Sequence, residues 1–406
     1  MDADIYTETQ VGIIGAGPAG LVLGELLADA GIDNVILESK DRYYVESRVR
    51  AGVLEQSTVE LLDQHRLSAN VHAHGLVHDG IYLQFNGERH HIDMRSLTGG
   101  RTITVYGQQE LVRDLIAHRL ATGKELLFEA EAVGLAGLEW GGEPVITFHH
   151  GAEERRLSCR IVAGCDGFHG VSRRSIPADA ITTYGREFPY AWLGILAEVA
   201  PSSDELVYSF HERGFALLSM RSPSISRLYL QVPHGEELTH WPDERIWDEL
   251  DIRLGRPGWT LERGHVLEKS ITPMRSFVAE PLRHGSLFLA GDSGHIMPPT
   301  GAKGLNLAIA DVKVLADGLK AWFSSGDESG IDTYSQMCLK RIWNAQNFST
   351  SLTSLMHLDP DADSFALRLQ RARQRFTVEN ENARSALADN YVGLPFDPPV
   401  APGQGQ

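Results

Sequence analysis

The chain has few cysteines, a deficit of basic residues and no long apolar run. Cys159, Cys165 and Cys338 are an odd number of cysteines without metal-ligand spacing, so we expect neither structural disulfides nor a metal site. The 37 basic residues against 54 acidic ones leave a formal charge of -17, which argues against a nucleic-acid partner. No stretch reaches the ~20 apolar residues that span a bilayer. Residues 1–4 lack the basic start of a signal peptide, so no membrane association and a cytoplasmic location are expected.

A glycine-rich turn near the amino terminus predicts a dinucleotide site. The sequence Gly-Ala-Gly-Pro-Ala-Gly begins at Gly15, after a buried apolar strand and before an apolar helix. In such a turn Gly15 permits the tight bend, Gly17 lets the backbone approach a pyrophosphate, and Gly20 allows close packing of helix on strand. A second strand, 34–37, ends in Glu38, where an acidic side chain accepts hydrogen bonds from ribose hydroxyls.

Two further pairs of Asp and Gly residues narrow the prediction of which dinucleotide binds. Asp166 precedes Gly167 after one strand-like segment, and Gly291 precedes Asp292 at the end of another. Either pair alone reads as an ordinary turn, because Asp and Gly are common turn residues. Together with the first turn they predict FAD, with Asp292 as an acceptor for ribityl or ribose hydroxyls.

Hydrophobic periodicity divides the chain into three parts and a tail. Alternating strand and helix patterns over residues 1–182 predict an α/β FAD-binding domain with a Rossmann-like, doubly wound sheet. Strand-like alternation over 183–296 predicts an antiparallel-sheet substrate domain, whose Gly291-Asp292 pair returns to the flavin. Residues 297–396 predict C-terminal helices that cover the flavin or pair two subunits, and 397–406 form a tail.

Two helices are predicted in this last region. The first carries an apolar stripe that begins at Leu305 and ends at Leu319. The second runs from Tyr334 to Met356, and we expect Trp343 and Phe348 on its apolar side.

The middle segment contains a candidate pocket for an anion. Ser219 and Arg221 have the period of two that places both side chains on one face of a strand. A guanidinium beside a hydroxyl suits a substrate carboxylate, because its fork makes two charge-assisted hydrogen bonds. A solvated sheet face with paired surface charges explains the same residues, so both readings stay open at this point.

Four longer segments are similar to the 4-hydroxybenzoate 3-monooxygenase family of single-component FAD-dependent aromatic hydroxylases. The resemblance spans Val11 to Asp397 and is carried by Arg-Ala-Gly-Val-Leu-Glu-Gln at 50–56, by 164–170, by Pro-Pro-Thr-Gly-Ala-Lys-Gly-Leu-Asn at 298–306, and by Asn-Tyr-Val-Gly-Leu-Pro at 390–395. It implies hydroxylation of 4-hydroxybenzoate to 3,4-dihydroxybenzoate with NAD(P)H and O2 through a flavin C4a-hydroperoxide. It also implies a homodimer.

The same resemblance assigns roles to residues of the pocket and the cofactor site. A proton relay of two phenols and an imidazole is implied at Tyr208, Tyr391 and His78, and Arg227 is implied to tune the site. Substrate contacts are implied at Tyr208, Ser219, Arg221, Tyr229 and the Pro299 carbonyl. Flavin contacts are implied, besides the turn, Glu38 and Asp292, at Arg48, Arg50, Ala51, Gly52, Val53, Gln108, Leu305 and Asn306.

The nicotinamide donor is expected to use a surface groove, because only one dinucleotide turn is present. The resemblance implies that Tyr44, Arg48, Arg50, His169 and Arg275 form this groove. NADPH-specific relatives carry an arginine directly after the ribose-binding acid, whereas this chain has Ser39 there, followed by Lys40 and Asp41. Loss of a fixed cation weakens recognition of a 2'-phosphate, so NADH is predicted to be favoured.

Other functions fit parts of the same pattern. A related hydroxybenzoate or aminobenzoate differs from 4-hydroxybenzoate by only a few atoms, so its hydroxylation is the main alternative. An FAD oxidase or dehydrogenase uses the same nucleotide scaffold, although Tyr208, Arg221 and Tyr391 argue against it. A flavin-binding sensor without turnover is a third reading, and no partner-binding module supports it.

Overall fold

The computed structural model describes residues 5–48 and 52–396, so the predicted contacts of Arg50 and Ala51 and the tail at 397–406 lie outside it. The strands in the described part are β1 (Ile5–Ile14), β2 (Asn34–Leu37), β3 (Val53–Glu55), β4 (Leu76–His78), β5 (Gly80–Phe85), β6 (Glu88–Asp93), β7 (Ile103–Val105), β8 (Leu126–Leu127), β9 (Ala130–Ala136), β10 (Val145–His150), β11 (Glu153–Gly164), β12 (Thr182–Glu198), β13 (Val207–Ser209), β14 (Ala216–Ser222), β15 (Ile225–Pro233), β16 (His265–Glu280), β17 (Arg283–His284), β18 (Leu287–Leu289) and β19 (His295–Ile296).

The helices in the same part of the chain are α1 (Pro18–Asp29), α2 (Arg42–Ser47), α3 (Gln56–Gln64), α4 (Ala69–His74), α5 (Met94–Leu97), α6 (Gln108–Ala121), α7 (Val171–Arg174), α8 (Asp243–Leu254), α9 (Gly304–Ser325), α10 (Ser329–Asp332), α11 (Tyr334–Met356), α12 (Ser364–Glu379) and α13 (Glu381–Val392). None of these helices is both long enough and apolar enough to cross a membrane.

The first sheet is the nucleotide-binding type predicted from the sequence. Its main strand order is β17-β18-β11-β1-β2-β8, and β1 pairs in parallel with both β2 and β11. The alternation of strand and helix at β1, α1 and β2 gives this arrangement, since parallel neighbours need a crossover connection. Apolar residues of β1, α1 and α9 are buried together on this sheet. The carboxyl ends of β1, β11 and β18 therefore lie side by side, which brings the three Gly-containing turns together.

The second sheet is largely antiparallel and has the order β19-β16-β12-β15-β14-β13-β5-β6. Strands β5 and β6 come from the amino-terminal part of the chain, and β5 pairs in parallel with β13. Strands β17 and β18 return to the first sheet from the middle part. The two sheets thus exchange strands, and a division at residue 182 leaves part of the second sheet in the first segment.

The C-terminal helices pack over the region between these sheets. Helix α9 buries Ala308, Ile309, Val312, Leu315, Ala316 and Leu319, as its apolar stripe predicts, while Leu305 at its start is half-buried. Helix α11 has the predicted bounds, and Phe348 is buried. The prediction for Trp343 is wrong, because its ring is exposed and its indole N–H donates to the Glu280 carboxylate at 2.5 Å. Indole is amphipathic, so an apolar count misplaces it where a carboxylate is within reach.

Candidate active site

The glycine-rich turn has a backbone that other residues would disturb. Gly15 has a φ of +103°, and a Cβ there would lie 2.4 Å from the Cys165 carbonyl oxygen. A Cβ on Gly20 would lie 2.0 Å from the Gly15 carbonyl oxygen, whereas Gly17 has nothing within 4 Å. Gly17 is also the N-cap of α1 and supplies no side chain to the free N–H groups. The turn therefore offers an open approach to a helix N-terminus, which favours an anion such as pyrophosphate.

Glu38 faces this turn from the end of β2. Its Oε2 accepts from the Ala16 N–H at 2.8 Å, and its Oε1 accepts from the Lys40 N–H at 2.9 Å. Ser39 donates to Oε1 at 3.3 Å. The carboxylate is thereby held beside the glycine-rich turn, in the position where a ribose hydroxyl pair is expected.

The Asp-Gly and Gly-Asp segments meet at the ends of β11 and β18. Ser293 donates to the Gly164 carbonyl at 2.6 Å, and the Ala290 N–H donates to the same carbonyl at 3.0 Å. Asp166 accepts from the Ser172 N–H at 2.9 Å through Oδ2 and so holds the start of α7, while its buried Oδ1 has no hydrogen-bond partner among the described residues. Asp292 is exposed in the short turn that follows β18, so its carboxylate is open to a bound group.

Asn306 joins the start of α9 to β3. Its Oδ1 accepts from the Glu55 N–H at 2.9 Å, and its Nδ2 donates to the Val53 carbonyl at 2.8 Å. The resemblance implied that Asn306 contacts the flavin, but its amide is already bonded to backbone, so only its main chain remains for a ligand. Gly52 precedes β3, and a Cβ there would lie 1.8 Å from the Tyr106 carbonyl oxygen. Gln108 begins α6 beside this segment.

The second sheet carries the predicted substrate residues on one face. Tyr208, Leu217 and Tyr229 are direct partners across β13, β14 and β15, and Ser219 lies opposite Arg227 in the next row. Directly paired residues of antiparallel strands point to the same side of a sheet. With strands roughly 4.8 Å apart, the backbones of Tyr208 and Tyr229 are about 10 Å apart. One face therefore presents a phenol at one end and two guanidinium groups at the other.

The guanidinium end is buried and short of hydrogen-bond acceptors. Arg221 donates through Nη1 to the Met220 carbonyl at 2.9 Å, but its buried Nε and Nη2 have no hydrogen-bond partner within residues 5–48 and 52–396. Arg227 is 5% exposed, and its Nε and Nη1 also have none. Burial lowers the pKa of Arg221. Burial alone would raise the pKa of Tyr229, but the charges of Arg227 and Arg221 outweigh it and lower that pKa. This end suits a carboxylate, which would accept the unused N–H groups.

Gly194 makes room for this pair of cations. It lies opposite Tyr229 on β12, and a Cβ at Gly194 would come within 2.8 Å of the Arg227 guanidinium. Sequence reasoning missed this glycine, because its role depends on which strand pairs with β15.

The phenol end contains two buried tyrosines. The Tyr208 hydroxyl donates to the Thr300 carbonyl at 3.0 Å and lies 2.5 Å from the Tyr391 hydroxyl. Burial raises the pKa of both phenols. Pro299, whose carbonyl we expected near the substrate hydroxyl, lies next to Thr300 and is exposed. The two predicted tyrosines are thus brought into direct contact from β13 and α13.

His78 is buried at the end of β4. Its Nδ1 has no hydrogen-bond partner in the described residues, and burial lowers its pKa to about 4. The ring borders an open cavity of about 390 Å³ that is also lined by Ser203, Asp204 and Ser222. An unprotonated imidazole beside a solvent-connected cavity is suited to accept a proton. No direct hydrogen bond joins His78 to Tyr391 among the described contacts, so the relay has a gap at this step.

The predicted nicotinamide groove consists of two clusters. Arg48 lies over the Tyr44 ring at 5.9 Å, and both side chains are exposed. Arg275 lies over the Phe168 ring at 4.0 Å, and His169 makes an edge contact with that ring at 5.0 Å. Sequence reasoning missed Phe168, although it stands inside a matched segment.

Sequence reasoning also missed Lys303. Its buried Nζ donates to Glu55 at 2.6 Å and to the Tyr391 carbonyl at 3.0 Å. Burial lowers its pKa. The ion pair joins the segment that precedes α9 to β3, and the second hydrogen bond joins it to α13, which carries Tyr391. A lysine after Gly-Ala in a loop gives no sequence signal for so deep a position.

Comparison with known proteins identifies the family. The family profile described as an FAD binding domain matches residues 8–349. The chain is 45% identical over 391 residues to p-hydroxybenzoate hydroxylase of Acinetobacter baylyi (strain ATCC 33305 / BD413 / ADP1), covering 96% of each chain. It is 26% identical to 3-amino-4-hydroxybenzoate 2-monooxygenase of Streptomyces cremeus, covering 99% of each.

A solved structure shares the fold. The crystal structure of p-nitrophenol 4-monooxygenase from Pseudomonas putida DLL-E4 matches with a TM-score of 0.82 at 18% identity, covering 94% of this chain and 97% of that one. The predicted α/β fold class with an FAD-binding sheet is confirmed. The site fits the cofactor, since Gly17 leaves open space at an uncapped helix N-terminus beside Glu38. The chain therefore belongs to the family of single-component, FAD-dependent aromatic hydroxylases, with NAD(P)H as the co-substrate.

Proposed function

We propose that the protein hydroxylates 4-hydroxybenzoate at the carbon next to its hydroxyl group. The overall reaction converts 4-hydroxybenzoate, NAD(P)H, a proton and O2 into 3,4-dihydroxybenzoate, NAD(P)+ and water. The observation that carries this proposal is the pair of buried guanidinium groups with unused N–H donors, at the opposite end of the pocket from Tyr208, which contacts the second phenol, Tyr391. A relative that is 45% identical bears the name p-hydroxybenzoate hydroxylase, which supports the same substrate.

The guanidinium end binds the carboxylate. Arg221 lies at an irregularity of β14 with Nε and Nη2 available, and Ser219 projects from the sheet face that carries Arg227 and Tyr229. The charges of Arg227 and Arg221 lower the pKa of Tyr229. Because its hydroxyl is more acidic, Tyr229 is a stronger hydrogen-bond donor to a carboxylate. The carboxylate neutralises a buried positive cluster, which offsets its own desolvation.

The phenol end controls the proton of the substrate hydroxyl. Tyr208 now donates to the Thr300 carbonyl and can redirect its hydrogen to a bound phenolate. A free phenol has a pKa near 10. Its deprotonation at neutral pH therefore needs a route to solvent. Tyr208 and Tyr391 supply the first two groups of that route, and unprotonated His78 at the open cavity supplies its exit. The bound flavin transfers electrons from NAD(P)H to O2, and the electron-rich ring carbon of the substrate takes up one oxygen atom.

NADH is the proposed donor. Ser39 stands after Glu38 and donates to that carboxylate, so no cation occupies the position. Asp41 caps α2 by accepting from the Tyr44 N–H at 2.7 Å, and it adds negative charge next to the expected 2'-phosphate position. Arg48 and Arg275 remain as the cations of the proposed groove.

A cytoplasmic homodimer is the proposed form of the enzyme. Helix α12 exposes Phe365, Leu369 and Phe376, which fall on one side at helical spacing. Such an exposed apolar stripe marks a protein interface. Light scattering after gel filtration tests this part, and a monomeric mass at micromolar concentration would contradict it.

The function is tested by product identification across a panel of acids. The purified enzyme is supplied with FAD, NADH and either 4-hydroxybenzoate, 3-hydroxybenzoate, 4-aminobenzoate or 2,4-dihydroxybenzoate, under 18O2. We expect 3,4-dihydroxybenzoate with one labelled oxygen as the main product. Hydrogen peroxide without a labelled product from every acid would indicate an oxidase. If 4-aminobenzoate gives labelled product faster than 4-hydroxybenzoate does, the proposed substrate is wrong and 4-aminobenzoate takes its place.

A further inference from the structure

The last turn of α11 contacts both ends of the substrate pocket. Thr353 and His357 are four residues apart and so lie on one side of this helix end. Both are buried, at 0% and 2% exposure. Neither was singled out by the sequence, and neither has a role in the chemistry described above.

Thr353 is connected to the phenol end. Its Oγ1 lies 2.8 Å from the Thr300 Oγ1 and also donates to the Ser349 carbonyl at 2.7 Å. A hydroxyl has one hydrogen, so Thr353 donates either to Thr300 or to the Ser349 carbonyl at any one time. The backbone carbonyl of this same Thr300 accepts from Tyr208. The position of the Tyr208 hydroxyl thus depends on Thr353 through one residue.

His357 is connected to the carboxylate end. Its Nδ1–H donates to the Thr353 carbonyl at 3.0 Å, which leaves Nε2 to accept from the Trp192 indole N–H at 2.6 Å. The Trp192 ring packs on Tyr229, with ring centroids 4.7 Å apart. Burial lowers the pKa of His357 to about 3, so the ring keeps this neutral tautomer at physiological pH.

Gln231 holds the helix end against the sheet. Its Oε1 accepts from the Leu358 N–H at 3.0 Å and from the Phe215 N–H at 2.9 Å, and its Nε2 donates to the Leu358 carbonyl at 2.5 Å. Gln231 is the direct partner of Trp192 between β12 and β15. The helix end and the sheet are therefore fixed to each other at the residue next to His357.

We infer that Thr353 and His357 are positioning residues that hold the Tyr208 hydroxyl and the Tyr229 ring at the two ends of the pocket, and thereby select acids whose carboxylate is bonded directly to the ring. The inference rests on the proposed function, because it concerns the same two ends of the same pocket. Three buried hydrogen bonds join Thr300, Thr353, His357 and Trp192 in sequence. They resist lengthening of the pocket, since each broken bond leaves a buried polar atom unsatisfied.

The test compares acids of two lengths. The ratio of kcat/KM for 4-hydroxybenzoate to that for 4-hydroxyphenylacetate, which has one more methylene group, measures the selection. It is determined for the FAD-loaded wild type, Trp192→Phe, His357→Phe and His357→Gln. Trp241→Phe is the matched control, because Trp241 is also a buried tryptophan but belongs to a different hydrophobic cluster from Trp192. FAD content and Tm are recorded for each variant.

We expect the ratio to fall by roughly three- to tenfold in Trp192→Phe and His357→Phe, the range for one lost buried hydrogen bond, and mainly through KM. His357→Gln retains an acceptor for the indole and should restore part of the ratio. If His357→Phe fails to bind FAD, His357→Gln and Trp192→Phe serve as the test variants. An unchanged ratio in Trp192→Phe, or an equal fall in Trp241→Phe, overturns the inference. A wild type that does not turn over 4-hydroxybenzoate refutes the proposed function instead.

Discussion

Replacement of Arg221 by Lys separates the fork geometry of the guanidinium from its charge. Lysine keeps a positive charge at the same place but is a point charge with no planar pair of donors. The two unpartnered donors of Arg221, Nε and Nη2, are the atoms that this change removes. The substrate carboxylate should therefore lose two hydrogen bonds and regain about one.

The expected loss follows from these donors. A hydrogen bond to a charged group contributes about 1.5–3 kcal/mol, and the ammonium group restores about one of the two lost bonds, so we expect a net loss of about 1.5–3 kcal/mol. That loss corresponds to an increase in Kd of roughly 10- to 150-fold. The neutral analogue 4-hydroxybenzamide cannot use the charge, so its Kd should rise by only about threefold.

The assay is titration of the FAD-loaded enzyme with each ligand, followed by the change in flavin absorbance. Arg186→Lys is the matched control, because Arg186 is an exposed arginine on a strand of the same sheet. It should bind both ligands as the wild type does. If Arg221→Lys binds 4-hydroxybenzoate within threefold of the wild type, or if it weakens the benzamide equally, the carboxylate assignment is wrong.

Three further changes test the relay, the buried imidazole and the donor. Tyr208→Phe should keep FAD bound but break the contact with Tyr391. NADH oxidation should then continue while the yield of 3,4-dihydroxybenzoate per NADH falls at least about fivefold. An unchanged yield would refute the role of Tyr208 in the proton relay. The folded pKa of His78, about 4, lies below the unfolded value of about 6.5, so its stabilisation is present above pH 6.5 and is lost as the pH falls toward 4. In urea titrations His78→Asn should therefore lose about 2 kcal/mol less unfolding free energy between pH 7 and pH 5 than the wild type, and parallel curves would contradict the burial of His78. Ser39→Arg should raise the NADPH to NADH ratio of kcat/KM by roughly tenfold, as one added charge-assisted contact predicts, and a wild type that already prefers NADPH would refute the donor proposal.

Local patterns in the sequence predicted much of the fold. The strand 34–37 and the helix from Tyr334 to Met356 have the predicted bounds, because each is delimited by turn residues or by a sustained apolar period. The exchange of β5 and β6 into the second sheet was not predictable. Strand β5 pairs with β13, which joins residues more than 100 positions apart, and β6 pairs with β5. The alternation of apolar residues within a strand does not encode which strand lies next to it.

The site was predicted unevenly for a related reason. Arg221 and Tyr208 could be proposed from residue chemistry and resemblance, since a carboxylate and a phenol have characteristic partners. Thr353, His357 and Gly194 could not, because each acts through contacts with residues distant in sequence. The flavin contact of Asn306 stays a prediction for its main chain at the start of α9, because its side chain binds the β3 backbone.

The second phenol of the pocket belongs to Tyr391 in α13, the last helix of the described chain. Lys303 donates to the backbone carbonyl of Tyr391, and Arg101 donates to the Gly393 carbonyl at 2.9 Å, just after the end of this helix. During translation the dinucleotide turn emerges first and Tyr391 emerges almost four hundred residues later. A polypeptide cut by a protease within α12 would retain the whole first sheet but lose Tyr391. If the proposed relay is correct, such a protein would oxidise NADH and release hydrogen peroxide without hydroxylating the substrate.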